Sequence, residues 1–386
     1  MNKSWKAYRL DDVVEKLIDY RGKTPEKTNK GIPLITAKVI KDGRINTPNE
    51  FIAEKTFNEW MTRGIPEYGD VVLTTEAPLG EVAQINIKGQ VALAQRVITL
   101  RGKKGVLDNA FLKYFLQSPI GQRNLKSKET GSTVTGIKQS ELRGIEISVP
   151  DFNEQQAITS ILSSLDEKIE INMQMNHTLE AMAKAIFKEW FAGEEKKVFL
   201  SEYIEINPRI AVRKNSVLKY VEMSDLPEDG HSIKTFIERQ YSSGSRFQKN
   251  DTLLARITPC LENGKTGFVD FLDDDEVAFG STEFITMRAK ERISPYYVYL
   301  IARDHTFREF AIKSMVGTSG RQRVQTDLLY SFELPKVSES KMRGFDSLVQ
   351  PLFEKIKNNF EEIKTLTTIR DSLLPKLMSG KIEVKT

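Results

Sequence analysis

A single cysteine, Cys260, stands in 386 residues. That excludes an internal disulfide and any cysteine-rich zinc site. The three histidines (His177, His231 and His305) lie far apart in the chain, so a histidine metal centre is not expected, nor is any other metal or cofactor. No apolar run is long enough to span a membrane. The opening residues MNKSWKAYRLDDVV lack the apolar core of a signal peptide. The expectation is a cytoplasmic protein without a membrane partner. Proline and glycine are absent from one long stretch, residues 153–191, and that absence is the most informative of all.

Within it, apolar residues recur in steps of four and three: Ile158, Leu162, Leu165, Ile169, then Leu179, Ala183, Ile186 and Trp190. This is the pattern of a helix with a coiled-coil seam. Asn172 and Asn176 fill the two skipped seam positions, where a polar residue weakens packing but selects register. At about 1.5 Å per residue the helix would be roughly 55–60 Å long. Residues 339–378 repeat the pattern with Phe345, Val349, Leu352, Ile356, Ile363, Leu366, Leu373 and Leu377, and with Asn359 in the seam. Pro351 and Pro375 predict that this second helix kinks or stops early. Gly380 sits where a C-cap belongs, ahead of a short strand.

The segments before the two helices also repeat. GDVVLT (69–74) has its counterpart in NDTLLA (250–255), and VALAQRVITLRG (91–102) in VAFGSTEFITMRA (277–289). FLKYFLQS (111–118) matches YVYLIARD (297–304), and GSTVTGIKQSEL (131–142) matches GTSGRQRVQTDL (317–328). Each segment reads as mixed α/β. The first should hold a short helix at 11–19, strands at 32–37, 70–75, 82–86, 91–100 and 146–150, and a helix at 109–125. The expected fold is α/β (α+β), with two similar globular domains separated by two long antiparallel coiled-coil helices, an internal pseudo-twofold repeat. The expected domains are 1–150, the helix 151–192, 193–336, and the helix and tail 337–386. Each helix has an apolar seam that neither globular segment is expected to need, so the two helices should pack on each other.

Charge is uneven along the chain. Residues 1–150 carry 24 Lys/Arg against 17 Asp/Glu, a net +7, whereas residues 192–335 carry 20 against 22, a net −2. The first segment suits a polyanion, and the second needs a local basic cluster to do so. Two readers held apart by long helices would suit a split site on double-stranded DNA, with an unread gap fixed by the helices. Side chains that donate to base edges or phosphates are the candidates. They are Lys38, Thr74, Thr75, Gln95 and Arg96, with Thr133, Thr135, Lys138 and Gln139 on the first Gly-rich loop. In the second segment they are Arg246, Arg256 and Thr258, with Arg321, Gln322, Arg323 and Gln325 on the second Gly-rich loop.

The central helix NEQQAITSILSSLDEKIEINMQMNHTLEAMAKAIFKEWF, the end LLPKLMSGKIEV and the two Gly-loop units together resemble the specificity subunit of a Type I restriction–modification system. The resemblance covers essentially the whole chain. It implies two target-recognition domains that bind DNA sequence-specifically and carry no catalysis. It implies assembly with two adenine-N6 methyltransferase subunits and with ATP-dependent restriction–translocase subunits. It also implies that the helices dock the methyltransferase, with Gln155, Gln156, Glu180, Lys184 and Lys188 as candidates for an exposed docking face. The second long helix keeps the seam but little of the NEQQ start, so the two docking surfaces need not be equivalent.

Enzyme motifs are weak by comparison. Asn207-Pro208-Arg209 is no methyltransferase turn, and Gly264-Lys265-Thr266 lacks the earlier glycine of a phosphate-binding loop. Pro150-Asp151 with Asp166-Glu167-Lys168 formally fits a metal-dependent nuclease pattern. On one helix, however, Asp166 and Lys168 point about 200° apart and cannot converge on a metal. The alternative from another class is a non-catalytic coiled-coil scaffold that binds protein without DNA specificity.

Overall fold

The computed structural model describes residues 5–22, 24–131, 135–318 and 320–384, and the chain forms two compact units. The first comprises residues 1–168 and 365–386, and the second residues 169–364. A central helix, Phe152–Phe191, and a C-terminal helix, Glu339–Leu377, each contribute a part to both units.

The first unit opens with Lys6–Arg9, which pairs antiparallel with Glu146–Val149 and so joins the two ends of the globular segment. A four-stranded antiparallel sheet follows in the order Val14–Asp19, Val97–Gly102, Val71–Thr75, Leu79–Gln84. Ile32–Ile35 and Ala92–Leu93 add a parallel pair. In the second unit, Lys197–Phe199 pairs with Glu333–Pro335. Its antiparallel sheet runs Ile204–Ile206, Phe284–Ala289, Thr252–Ala255, Thr266–Phe268, and Val217–Val221 lies parallel to Val277–Gly280. The strand order of the four-stranded antiparallel sheet, the end-joining pair and the parallel pair recur from one unit to the other.

The repeat reaches single residues. Gly69 and Asn250 both take a positive φ, +89° and +70°. The aspartate after each is buried and clamped by an arginine. Arg101 reaches the Asp70 carboxylate from Nε at 2.7 Å and Nη2 at 2.8 Å, and Arg288 reaches Asp251 at 2.7 and 2.6 Å. Each clamp ties the central strand to its neighbour.

Some expected elements differ. Only Leu10–Val13 is helical at the start, and Val14–Asp19 is a strand, because pairing with Val97–Gly102 outweighs local preference. The helix expected at 109–125 is two helices, Asn109–Gln117 and Pro119–Ser127. Pro119 forces Ser118 into the extended region (ψ 157°), and the Ser118 side chain then caps the second helix. The C-terminal helix runs through both Pro351 and Pro375 without stopping. Pro351 is exposed, as is Ser347, whose carbonyl loses its partner and can be hydrated. Gly380 (φ +65°) closes this helix as expected: the Lys381 N–H bonds the Lys376 carbonyl and the Gly380 N–H that of Leu377. No strand follows it among the described residues.

The helix seams do more than face each other. In the first unit, Ile158 and Leu162 share a core with Leu377 and Met378, but also with Phe111, Phe115, Leu142 and Ile147 of the globular segment. In the second, Ala183, Phe191, Phe345, Val349 and Ile356 share a core with Tyr297, Tyr299, Leu300 and Phe307. The expectation that neither globular segment needs the seams is therefore wrong. Each fully buried large side chain contributes about 1.5–3 kcal/mol, and the segments gain that only with the helices in place.

Within the second unit the helices run antiparallel. Asn172 Nδ2 donates to Glu362 Oε2 at 2.8 Å, and Asn359 Nδ2 to Asn176 Oδ1 at 2.8 Å. Within the first unit, Arg370 Nη1 bonds Asp166 Oδ1 at 3.0 Å. No helix of the described residues is long and apolar enough to cross a membrane.

Candidate nucleic-acid interface

In the first unit, Arg96 takes a positive φ (+72°) and breaks the stretch 91–102 into two strands. Its carbonyl accepts from the Thr75 N–H at 2.9 Å, which seats the Arg96 side chain beside the end of the central strand. There Arg96 Nε pairs with Glu76 Oε1 at 2.8 Å. A cleft of about 430 Å³ opens at this place, and Lys38, Gln95 and Arg96 all line it. Lys27 and Lys41 line it too, so four cations face two carboxylates, Glu50 and Glu81. Such a surplus favours an anion. Lys27 is paired with Glu50 at 2.9 Å, whereas Lys38 and Lys41 are exposed.

The first Gly-rich loop meets the same strand end. Glu76 bridges Gly136, where an added Cβ would lie 2.7 Å from the Thr75 carbonyl oxygen, so only glycine allows the approach. Arg21 Nη1 fixes the Ile137 carbonyl at 2.7 Å. Thr135 and Lys138 are exposed and Gln139 half-buried. Thr133 lies outside the described residues.

In the second unit the corresponding loop docks on the corresponding segment. Ile257 and Val316 both bridge Arg323. The Thr258 N–H and hydroxyl reach the Gln322 carbonyl at 3.1 and 3.4 Å, and Arg256 Nε reaches the Val324 carbonyl at 3.1 Å. Arg256, Thr258, Gln322 and Arg323 thus come together, with Arg321 and Gln325 exposed nearby in the loop. These bridges place Gly136 opposite Arg323 in the repeat, a register one residue longer than GSTVTGIKQSEL against GTSGRQRVQTDL. Buried Leu142 and Leu329 then coincide.

Arg246 is engaged elsewhere. Its guanidinium donates to the Ile210 carbonyl, and it lines a separate recess of about 280 Å³ with Asn207, Ser245 and Thr282. Thr74 and Thr75 are fully buried. Thr74 Oγ1 accepts from Glu81 N at 2.9 Å and donates to the Pro78 carbonyl at 2.7 Å, closing the hairpin. Their place in the central strand removes both from any surface that touches a ligand.

Two of the docking candidates are also not exposed. Gln155 is fully buried; its amide bonds the Val106 and Pro150 carbonyls at 2.9 and 3.0 Å and accepts from Asp108 N at 2.9 Å. Glu180 is buried against Tyr299, whose hydroxyl donates to it at 2.9 Å, and pairs with Lys184 at 3.0 Å. Both sit where the helix faces the globular segment. Gln156, Lys184 and Lys188 are exposed.

Sequence reasoning missed Lys27, Lys41, Glu76 and Glu283. Glu283 occupies the place of Arg96, since its carbonyl accepts from Arg256 N at 2.8 Å, and it binds Arg323. Aligning the repeat puts these opposite charges side by side, a signal that was available. Among the described residues no group of three or more His, Cys, Asp or Glu side chains could hold a metal.

Residues 2–181 match the family described as the Type I restriction modification DNA specificity domain. The chain is 26% identical over 431 residues to the MjaIX specificity subunit of Methanocaldococcus jannaschii, covering 99% of this chain and 94% of that one. It is 23% identical over 341 residues to the HindI specificity subunit of Haemophilus influenzae, covering 66% and 73%. Its fold is shared with the solved Type I restriction–modification S subunit from M. genitalium, at a TM-score of 0.58 and 19% identity, over 98% and 97% of the two chains.

Proposed function

We propose that the chain is a specificity subunit of a Type I restriction–modification system and that each of its two units reads one half of a bipartite site on double-stranded DNA. The observation that carries this reading is the duplication: in both units a Gly-rich loop docks on the end of the central strand, next to an arginine held by a glutamate. A scaffold that binds only protein gives no reason for that repeated hydrogen-bonding junction.

The half-site readers are Lys38, Gln95, Arg96, Thr135, Lys138 and Gln139 in the first unit. In the second they are Arg321, Gln322, Arg323 and Gln325, with Arg256 and Thr258 holding the loop. Arginine and lysine suit guanine and phosphate, and glutamine suits adenine. The chain carries specificity without catalysis. The tied-up Asp166 supports this, because Lys113, Tyr114 and Arg370 occupy the carboxylate of the nuclease-like pattern. The chain assembles in the cytoplasm with two adenine-N6 methyltransferase subunits and with restriction–translocase subunits, and Gln156, Lys184 and Lys188 belong to the methyltransferase-docking face.

The test is co-expression with the methyltransferase subunit of the same system, followed by mapping of methylated adenines by single-molecule sequencing. The expected result is one split motif with a modified adenine in each half. A stable complex that produces no motif overturns the reading.

A further inference from the structure

The two units keep a glutamate–arginine pair at the same junction but exchange the charges. Arg96 and Glu283 occupy equivalent backbone positions, each accepting at its carbonyl from the end of the central strand, at 2.9 and 2.8 Å. Arg96 reaches back to Glu76, whereas Glu283 reaches forward to Arg323 on the Gly-rich loop. The position of Arg323 is Gly136 in the first unit, and the position of Glu76 is Ile257 in the second. One unit therefore presents its arginine from a strand connection and the other from a loop.

The second pair is the more specific in geometry. Arg323 Nε lies 2.9 and 3.0 Å from the two Glu283 oxygens, and Nη2 lies 2.7 Å from Oε1. The Arg323 side chain is 44% exposed, and an ion pair so open to water adds little stability. Its geometry has another consequence. A guanidinium has five N–H donors in a rigid plane. Glutamate takes the Nε/Nη2 edge, which leaves the Nη1/Nη2 edge unused and pointing away from the carboxylate. That outer edge matches the O6 and N7 acceptors of guanine in the major groove. Fixing the side chain beforehand lowers the ordering cost of binding. The loop backbone is fixed as well, because Arg323 N–H and C=O both bond Val316, each at 3.0 Å.

We propose that Glu283 is a specificity-determining positioning residue that presents Arg323 to a guanine in the half-site read by the second unit. This rests on the DNA-reading function proposed above.

The experiment compares the methylation motif of cells carrying the full complex with the wild-type chain, with Glu283→Gln, with Glu283→Asp and with Arg323→Lys. Glu283→Gln should change one half-site only, at a single guanine, with discrimination there falling about 10- to 100-fold. Arg323→Lys should relax the same base, because lysine cannot donate two parallel bonds, and Glu283→Asp should largely restore it. An unaltered motif in both variants overturns the proposal, as does relaxation at several bases at once. If Glu283→Gln abolishes methylation altogether, Arg323→Lys decides between single-base relaxation and no change. A wild-type chain without any split motif brings down the DNA-reading function itself.

Discussion

Asp166 shows how far the meaning of one residue depends on its neighbours. As a letter it completes a nuclease-like pattern; in the fold it is a structural anion. Lys113 Nζ lies 3.0 Å and the Tyr114 hydroxyl 2.7 Å from one carboxylate oxygen, and Arg370 3.0 Å from the other. Burial pushes this carboxyl up, but Lys113, Tyr114 and Arg370 together hold it below its ordinary 3.8. A carboxyl depressed in the folded state stabilises the fold above its unfolded pKa and loses that contribution as pH falls through the folded value. The first unit should therefore lose stability below about pH 4. Asp166→Asn should flatten that acid limb and cost on the order of 2–3 kcal/mol at pH 7, read by urea unfolding from pH 2 to 7. An acid limb unchanged by the substitution would show that other carboxyls control it. The burial of Gln155 and Glu180 is the opposite case. Gln155 continues the seam spacing one step before Ile158 and Glu180 stands beside the seam at Leu179, but nothing local reveals that a globular segment covers both.

At the scale of elements, the two long helices were legible because their signal is local and repeated. The seam residues Ile158, Leu162, Ile169 and Ala183 are buried, as are Phe345, Val349 and Ile356. The asparagines form a layer whose cost is visible: the Oδ1 atoms of Asn172 and Asn359 are buried without a hydrogen-bond partner. A layer of this kind selects register more than it stabilises. The double substitution Asn176→Leu with Asn359→Leu removes both partners of one amide contact, so no lone amide is left behind. It should raise the urea midpoint of the second unit by an amount corresponding to roughly 1–2 kcal/mol. A lower midpoint would show that the amide layer is net stabilising. The split of 109–125 into two helices was legible in Ser118-Pro119, whereas the strand at Val14–Asp19 was not. Its partner, Val97–Gly102, lies some eighty residues away in the chain.

At the scale of the molecule, the first unit is not a continuous piece of chain, whereas the second, residues 169–364, is. The first is completed by residues 365–386, so the end of the chain belongs to the fold of its beginning. Leu377 and Met378 are 1% exposed and pack among Phe111, Leu125 and Leu162. Losing these two side chains alone costs about 4–10 kcal/mol, as much as a domain's whole stability. A chain ending at Lys364 should thus lose amide-exchange protection across residues 109–127 while residues 252–289 keep theirs. Equal protection in both would show that the first unit folds without its distant segment.

The internal repeat, the two helices, the seam asparagines and the glycine that ends the second helix follow from the sequence alone. Each is a short-range pattern of polarity or backbone freedom, and short-range patterns survive without knowledge of the fold. The tertiary structure alone decided which carboxylate holds which arginine, which threonines vanish into a strand, and which helix residues are covered. Those are contacts between segments far apart in the chain, set by strand pairing and by burial, and no local periodicity encodes them.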